Sequence, residues 1–257
     1  MSSGEVRQVE EPSPKDDSSS FLSTYRFVVL LIFMTLFLIA LPVLSRISQT
    51  SDQSAVSIFS RLFFVAMLVA SVFAVAETRK SMMIALALAL PTVSLQLGSL
   101  LYDAEVITIV GQVFGIIFLL YVVFVLLRVV FKINVVTVDT ICASICVYLL
   151  LGIMCSLGYS LLEITQPGSF RLSAANESLE PSMRFLGTHS EIPIYYSFIT
   201  MTTLGYGDIV PTNPASRMLS VLQALTGQLY LVVLVARLVG LQIAHSTGVN
   251  TRTMHDE

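Results

Sequence analysis

Six long apolar segments, separated by short polar stretches, dominate the chain. Each is long enough as a helix to cross about 30 Å of hydrocarbon. We therefore predict six membrane-spanning helices at Phe27–Leu44, Ile58–Ala76, Met82–Leu101, Val106–Phe131, Val135–Leu162 and Ala215–Ala244. Gly111 and Gly115 are expected to let the fourth helix pack closely against its neighbours, because neither carries a side chain.

A seventh apolar segment, Ile192–Thr203, precedes the last long helix. About a dozen residues cannot cross a bilayer as a helix, but they suit a re-entrant helix held inside the protein. The polar sequence Thr-Met-Thr-Thr-Leu-Gly-Tyr-Gly-Asp follows at residues 200–208, and Pro211 and Pro214 interrupt the chain after it. The pattern predicts a short helix, an irregular loop and a long helix.

Residues 200–208 resemble the selectivity filter of the potassium channel superfamily. The resemblance implies an all-α membrane protein with six transmembrane helices plus a re-entrant pore helix and a selectivity-filter loop. It also implies K⁺ coordination by the backbone carbonyls of Thr203, Leu204, Gly205 and Tyr206 and by the Thr203 hydroxyl. One chain supplies only one side of each ring of carbonyls, so a tetramer, most simply a homotetramer, is implied as well.

The filter chemistry explains why glycines are needed in this loop. Backbone carbonyls replace the hydration oxygens of K⁺ without burying a formal charge. Successive carbonyls point to one side only if the backbone angles alternate in hand, and Gly205 and Gly207 can adopt positive φ. Glycine–aromatic–glycine tripeptides also occur in ordinary turns. The flanking apolar segments therefore carry much of the specificity of this prediction.

Several neighbouring residues are candidates for supporting the filter. Tyr195 and Tyr196 occupy positions where the family often has tryptophan, so they resemble the aromatic cuff behind the filter. A hydroxyl of one of these tyrosines is expected to reach Asp208 as a hydrogen-bond partner. The alternative is that both are aromatic residues at the membrane interface. Thr202 and Thr203 are expected to end the pore helix, whose dipole would favour a cation in the cavity. Asp208 either concentrates cations at the outer mouth or caps the filter backbone.

The last helix carries further candidates. Gly227 stands where the family places its gating-hinge glycine, and a glycine that permits close helix contact is the alternative. Gln223, Thr226 and Gln228 are polar, and we expect some of them to face a water-filled cavity.

Arg237 is a single cation in the same apolar helix. A cation facing the pore would repel K⁺, so we expect Arg237 at the subunit periphery or an interface, paired with Glu77 or Asp139. Snorkelling of its side chain to lipid headgroups is the alternative.

Composition and charge agree with a membrane protein. The chain is 55% hydrophobic and 12% charged, with a mean hydropathy of +0.83. If the filter loop enters from outside, the inner ends carry Arg26, Arg79, Lys80, Arg128, Lys132 and Arg252, whereas the outer loops offer mainly Arg46 and Arg61 against Asp52, Asp103 and Glu105. This asymmetry predicts a multi-pass protein of the cell membrane with cytoplasmic N- and C-termini.

Four regions follow from this pattern. We predict a disordered cytoplasmic tail at 1–24, a peripheral four-helix unit at 25–133, a pore unit at 134–245 and a short cytoplasmic tail at 246–257. The peripheral unit resembles a voltage sensor only in helix number and position, because Val106–Leu127 contains no Lys or Arg. Strong voltage gating through the fourth helix is therefore not expected, and Arg128 and Lys132 are interpreted as interfacial anchors.

The segment from Glu163 to Glu191 is predicted to be an external, mildly acidic turret that attracts cations. Its charged residues are Glu163, Glu177, Glu180 and Glu191 against Arg171 and Arg184. His189 is either an external pH sensor or an ordinary loop residue, and Asn176-Glu177-Ser178 fits a glycosylation acceptor if the source is a eukaryote.

Other classes of function find less support. Cys142, Cys146 and Cys155 share one apolar segment and are interpreted as small apolar residues, with metal binding as the alternative. We expect no cofactor, and no nucleic-acid partner because the sequence has no basic patch. We expect no enzyme activity, since neither Gly-x-Ser-x-Gly nor His-Glu-x-x-His, motifs of a hydrolase, occurs. A subunit that works only in heterotetramers and a non-conducting receptor or scaffold remain alternatives.

Overall fold

The computed structural model describes residues 26–48, 53–76, 78–101, 105–132, 137–172 and 191–253 of the chain. The expectations for residues 1–24, Asp52, Glu77, Asp103, Asn176, Glu177, Glu180, Arg184 and His189 fall outside these ranges. The same holds for the side chains of Arg46, Arg61, Glu191 and Arg252.

Seven helices and a two-stranded ribbon make up the described structure. The helices are α1 (Arg26–Ser48), α2 (Gln53–Val75), α3 (Arg79–Leu101), α4 (Glu105–Lys132), α5 (Val138–Thr165), α6 (Glu191–Met201) and α7 (Pro214–Thr253). The strands are β1 (Phe170–Leu172) and β2 (Ile209–Pro211). Each predicted helix is present, whereas the ribbon was not predicted.

Helix length and composition support an all-α membrane protein. Among the described residues, α3, α4, α5 and α7 are long and apolar enough to cross a membrane. In α1 and α2 the described apolar stretches are shorter, Arg26–Ala40 and Phe64–Val75. Six membrane spans therefore stay a prediction.

Two helix boundaries differ from the sequence prediction for identifiable reasons. Helix α5 begins at Val138 and not at Val135, because the Thr137 side chain caps it by accepting a hydrogen bond from the Thr140 N–H at 3.2 Å. Helix α7 continues to Thr253, beyond the predicted end at Ala244. A helix has no need to stop where its apolar stretch stops, and no proline follows Ala244.

One apolar core joins the first four helices to α5. Helix α4 supplies its centre, with Phe118, Leu119, Val122 and Leu126 fully buried. They pack in one cluster with residues of the other helices, among them Leu30, Met34, Met67, Leu68, Val147 and Leu150. Helix α4 carries no charge between Val106 and Leu127, and its fully buried residues are all apolar, so apolar packing dominates its buried face.

The four-helix unit packs against α5 of its own chain, through α4 and α1. Two glycines of α4 make the close approach possible. A Cβ at Gly111 would lie 3.4 Å from the Leu95 Cβ of α3, and one at Gly115 would lie 3.2 Å from the Leu157 Cδ1 of α5. The predicted close packing at both glycines is confirmed.

The prediction that an exposed acidic turret begins at Glu163 is wrong for this residue. Helix α5 continues to Thr165, and Glu163 lies within its last turn with an exposed fraction of 0%. Its carboxylate accepts hydrogen bonds from the Gly168 N–H at 2.7 Å and the Phe170 N–H at 3.1 Å. A buried carboxylate of this kind organises backbone and cannot attract cations from solvent.

The turn that Glu163 holds continues into the ribbon. Strands β1 and β2 pair antiparallel, with Phe170 opposite Pro211 and Leu172 opposite Ile209. Strand β2 follows the filter-like loop directly, so Glu163 fixes the C-terminal end of that loop through one ribbon. At the start of α7, Asn213 caps the helix by accepting the Ser216 N–H at 2.7 Å.

Replacing Glu163 with Gln should destabilise the turn before β1 and the ribbon of β1 and β2. The amide keeps the shape, but only its oxygen can accept a hydrogen bond, so one of the two backbone N–H groups is left facing an NH2 donor and the other binds an uncharged oxygen. We therefore expect a loss of about 1.5–3 kcal/mol in the free energy of unfolding. Thermal unfolding and faster hydrogen exchange of the Gly168 and Phe170 amides measure it. Glu105→Gln, at an exposed carboxylate, is the control and should stay within about 0.5 kcal/mol. Equal behaviour of the two variants would contradict the prediction.

Candidate functional site

The backbone after α6 alternates in hand through the filter-like loop. Thr203 has φ 58°, Gly205 has φ 51° and Gly207 has φ 77°. Positive φ at every second residue is the arrangement that directs successive carbonyls to one side of the chain. The expectation of positive φ at both glycines is confirmed. Thr203 also has a positive φ, which was not expected.

Thr203 also explains why α6 is shorter than predicted. The helix ends at Met201, so Thr202 and Thr203 form a turn after the helix and do not complete it. A positive φ cannot continue a right-handed helix, and a β-branched residue holds it only at a cost of about 1–3 kcal/mol. The Gly205 N–H donates to the Ile199 carbonyl at 3.1 Å, which ties the loop to the last turn of α6.

Helix α6 lies close against α5 because one glycine leaves room for it. A Cβ at Gly152 would come within 2.7 Å of the Phe198 ring. The Gly152 carbonyl also accepts a hydrogen bond from the Ser197 Oγ at 2.6 Å. This polar contact fixes the depth and rotation of α6 relative to α5 in the fully buried surroundings of Ser197.

Tyr195 binds Asp208, as the sequence suggested. Its hydroxyl donates to the Asp208 Oδ2 at 2.7 Å, and the Asp208 Oδ1 accepts from the Ile209 N–H at 3.1 Å. The hydrogen bond to Asp208, with burial as a smaller cause, raises the pKa of Tyr195 to about 12, because the bond holds the proton on the phenol. The phenol therefore stays a donor at neutral and moderately alkaline pH, and Asp208 caps the backbone beyond the loop.

Tyr196 lies behind the loop in an aromatic cluster. Its ring packs edge-on to Tyr159 at 4.9 Å between centroids and to Phe170 at 5.1 Å. Its hydroxyl shares a hydrogen bond of 2.8 Å with the Ser220 Oγ of α7. The cluster connects α5, β1, α6 and α7, so Tyr196 is a buried packing residue and not an aromatic at a membrane interface.

Gln223 is buried behind the loop, so it is not among the polar residues of α7 that are expected to face a water-filled cavity. Its Nε2 donates to the Ser197 Oγ at 2.6 Å and to the Ser197 carbonyl at 3.1 Å. Its Oε1 accepts a hydrogen bond from the Tyr159 hydroxyl. Thr226 and Gln228 of the same helix are exposed in the single chain. That they face a water-filled cavity stays a prediction.

Gly227 allows α7 to touch the end of α6. A Cβ at this position would lie 2.7 Å from the Met201 Cγ and 2.9 Å from the Met201 carbonyl oxygen. The oxygen belongs to backbone that cannot easily move, so close contact is a sufficient reason for a glycine here. A hinge role for Gly227 stays a prediction.

Arg237 joins α7 to the C-terminal end of α4. Its guanidinium donates to the Val130 carbonyl and lies 5.1 Å from the centroid of the Phe131 ring. Val130 is among the last residues of α4, whose carbonyls have no partner within the helix. Within the single chain, Arg237 lies between two helices with a backbone carbonyl as a partner, and its place at a subunit periphery or interface stays a prediction. Asp139, one of its two predicted partners, interacts electrostatically with Arg26.

A family model described as "Ion channel" matches residues 187–241, which include α6, the loop and most of α7. This match supports an ion channel. Neither the comparison with curated proteins nor the comparison with solved structures finds a match. The ion-channel region coincides with the residues whose geometry is unusual, namely the alternating backbone of 203–207 and its support.

Sequence reasoning did not identify the α5 residues behind the channel loop. Ser156, Tyr159, Ser160 and Glu163 are all buried on one face of that helix. The signal was present in the sequence, because these polar residues recur at intervals of three and four in an otherwise apolar segment. Polar residues at helical spacing inside a membrane segment mark a face that contacts polar partners.

Gly227→Ala should destabilise the channel region. The added methyl group would overlap Met201 backbone, and overpacking of this kind costs about 1–3 kcal/mol. Gly240→Ala in the same helix is the control: a Cβ there meets nothing within 4 Å and should stabilise by about 0.5–1 kcal/mol. Thermal unfolding of the two variants measures the difference. A Gly227→Ala protein as stable as Gly240→Ala, yet altered in opening, would favour the hinge instead.

Tyr195→Phe should destabilise the C-terminal end of the loop at Asp208 while leaving the aromatic ring at position 195 in place. The variant loses a hydrogen bond to the charged Asp208, but Tyr195 is partly exposed, so solvent weakens that bond. We therefore expect a loss of about 1 kcal/mol in the local stability of the loop. Faster hydrogen exchange at the amides of residues 204–209 measures it. Tyr121→Phe removes a comparable hydroxyl, which donates to the Ser81 carbonyl at 3.2 Å, and should leave exchange at these amides unchanged.

Proposed function

We propose that this chain is a subunit of a potassium-selective channel that conducts K⁺ passively through a tetrameric pore. The observation that carries the proposal is the alternation of positive φ at Thr203, Gly205 and Gly207. This backbone is suited to presenting the carbonyls of Thr203, Leu204, Gly205 and Tyr206 to one ion path. The Thr203 Oγ1 donates to the Thr202 carbonyl at 2.7 Å, which leaves its lone pairs available for a cation.

Exposed apolar surface in the single chain supports assembly with further copies. Leu204 is 54% exposed and Tyr206 is 67% exposed, although both flank the proposed ion path. Along α7, exposed apolar residues recur at helical spacing at Met218, Leu222, Leu225, Leu229 and Val232. Large apolar side chains in such a stripe are buried by other helices or by lipid. A fourfold arrangement would bring four loops around one axis and cover these residues.

The proposed topology has six transmembrane spans, with the loop entered from outside and both termini cytoplasmic in the cell membrane. Strong voltage gating is not part of the proposal. Moving one elementary charge through the membrane field supplies about 2.3 kcal/mol per 100 mV. Helix α4 offers no such charge between Val106 and Leu127, and Arg128 stacks on the Phe124 ring at 4.4 Å from its centroid.

Ion flux through the purified protein in liposomes tests the proposal. We expect K⁺ flux at every clamped voltage, with Na⁺ flux at least about tenfold lower, a difference equivalent to ~1.4 kcal/mol. Gly205→Ala should abolish this selectivity, because a Cβ at positive φ distorts the carbonyl ladder.

Gly98→Ala is the control for the flux experiment. Gly98 lies in α3, away from the loop and its supporting turn, and a Cβ there meets nothing within 4 Å. Its variant should keep selective flux. Equal Na⁺ and K⁺ flux through the unaltered protein would reject the filter assignment. A folded tetramer without flux would favour a heterotetrameric subunit or a receptor or scaffold.

A further inference from the structure

A groove on the four-helix unit runs between α1 and α2 and has a volume of about 650 Å³. Val29 and Phe33 line it from α1, and Val69 and Phe73 line it from α2, together with three alanines whose short side chains leave it open. Its walls are apolar along about two turns of each helix. The groove is therefore shaped for an apolar chain that lies along the helices.

One end of the groove carries a cation. Arg26, the first residue of α1, is its only charged lining residue among those described. The N-terminus of α1 adjoins the C-terminal end of α2, and α3 begins there with Arg79 and Lys80, both exposed. Glu77 lies in this connection, outside the described residues.

Among the described residues, Asp139 is the acidic group that interacts with Arg26. The Arg26 guanidinium lies 4.7 Å from the centroid of the Phe27 ring, and its interaction with Asp139 is electrostatic. The ring lies against one face of the guanidinium plane, and a guanidinium carries five N–H donors within that plane. A phosphate group can share these donors with the Asp139 carboxylate, whose Oδ1 is buried and accepts no hydrogen bond.

We propose that the groove binds one anionic phospholipid, with its phosphate at Arg26 and one acyl chain between α1 and α2. An apolar groove that ends in a cation at the membrane surface is complementary to a lipid with a negative headgroup. A zwitterionic lipid fits the apolar walls equally well but gains less from the cations. This inference requires a membrane location and holds whether or not the pore conducts K⁺.

Fluorescence quenching by brominated lipids tests the proposal in the full chain. The protein contains no tryptophan, so Phe73→Trp places a single probe on the groove wall, where Phe73 is 71% exposed. Met83→Trp is the matched control, because Met83 is 67% exposed and lies outside the groove, one helical turn from the start of α3. Each variant is reconstituted in phosphatidylcholine with an equal small fraction of brominated phosphatidylglycerol or brominated phosphatidylcholine.

We expect phosphatidylglycerol to associate with the Phe73→Trp site about fivefold more strongly than phosphatidylcholine, since one basic residue near the surface contributes about that factor. The Met83→Trp site lies one helical turn from the exposed Arg79 and Lys80, so it measures how far exposed cations outside the groove enrich phosphatidylglycerol. Its ratio should be smaller than the ratio at Phe73→Trp, and Arg26→Gln should leave it unchanged. Adding Arg26→Gln to Phe73→Trp should lower its ratio to near one, whereas Arg26→Lys should retain most of it. Unchanged Met83→Trp emission in the Arg26→Gln background verifies that the fold is intact.

Three results would overturn the proposal. Equal ratios at Phe73 and Met83 would mean that phosphatidylglycerol gathers around the whole protein by charge alone. A ratio at Phe73 that survives Arg26→Gln in a folded protein would remove Arg26 as the headgroup partner. Absence of quenching by either lipid at Phe73 would mean that protein occupies the groove, either residues 1–25 or a second copy.

Discussion

The chain between Thr203 and Gly207 must hold a backbone that alternates in hand, and this constraint governs the arrangement of the helices around it. Thr203, a β-branched residue, lies at positive φ there, which is intrinsically unfavourable. A short loop cannot keep such a conformation alone, so the surrounding structure must determine it. The elements in direct contact with the loop accordingly carry buried hydrogen bonds, close helix approaches and packed aromatic rings.

Two sets of interactions provide that support. Behind the loop, Ser197 links α6 to the Gly152 carbonyl of α5 and to Gln223 of α7, so three helices share one buried polar network. Outside the loop, Glu163 fixes the turn before β1, and β1 pairs with the strand that follows the loop. Every polar group in these two sets has a partner, which is what makes a buried polar network specify one conformation.

The unit formed by α1 to α4 is held together mainly by apolar packing. Helix α4 uses an uncharged face to pack against α3 and α5, and two glycines bring those helices close. Its C-terminal end is bound by Arg237 of α7. The Val130 carbonyl therefore links the four-helix unit to α7, in addition to its packing against α5.

The sequence by itself determined the six long helices, the short helix before the loop and the need for glycine at positions 205 and 207, because apolar length and backbone sterics are local properties. It also suggested the Tyr195–Asp208 bond through a motif. Only the tertiary structure decided the roles of Glu163, Gln223 and Arg237. A charged or polar side chain in an apolar segment has several possible partners, and the choice depends on which backbone groups distant in sequence are brought within hydrogen-bond distance.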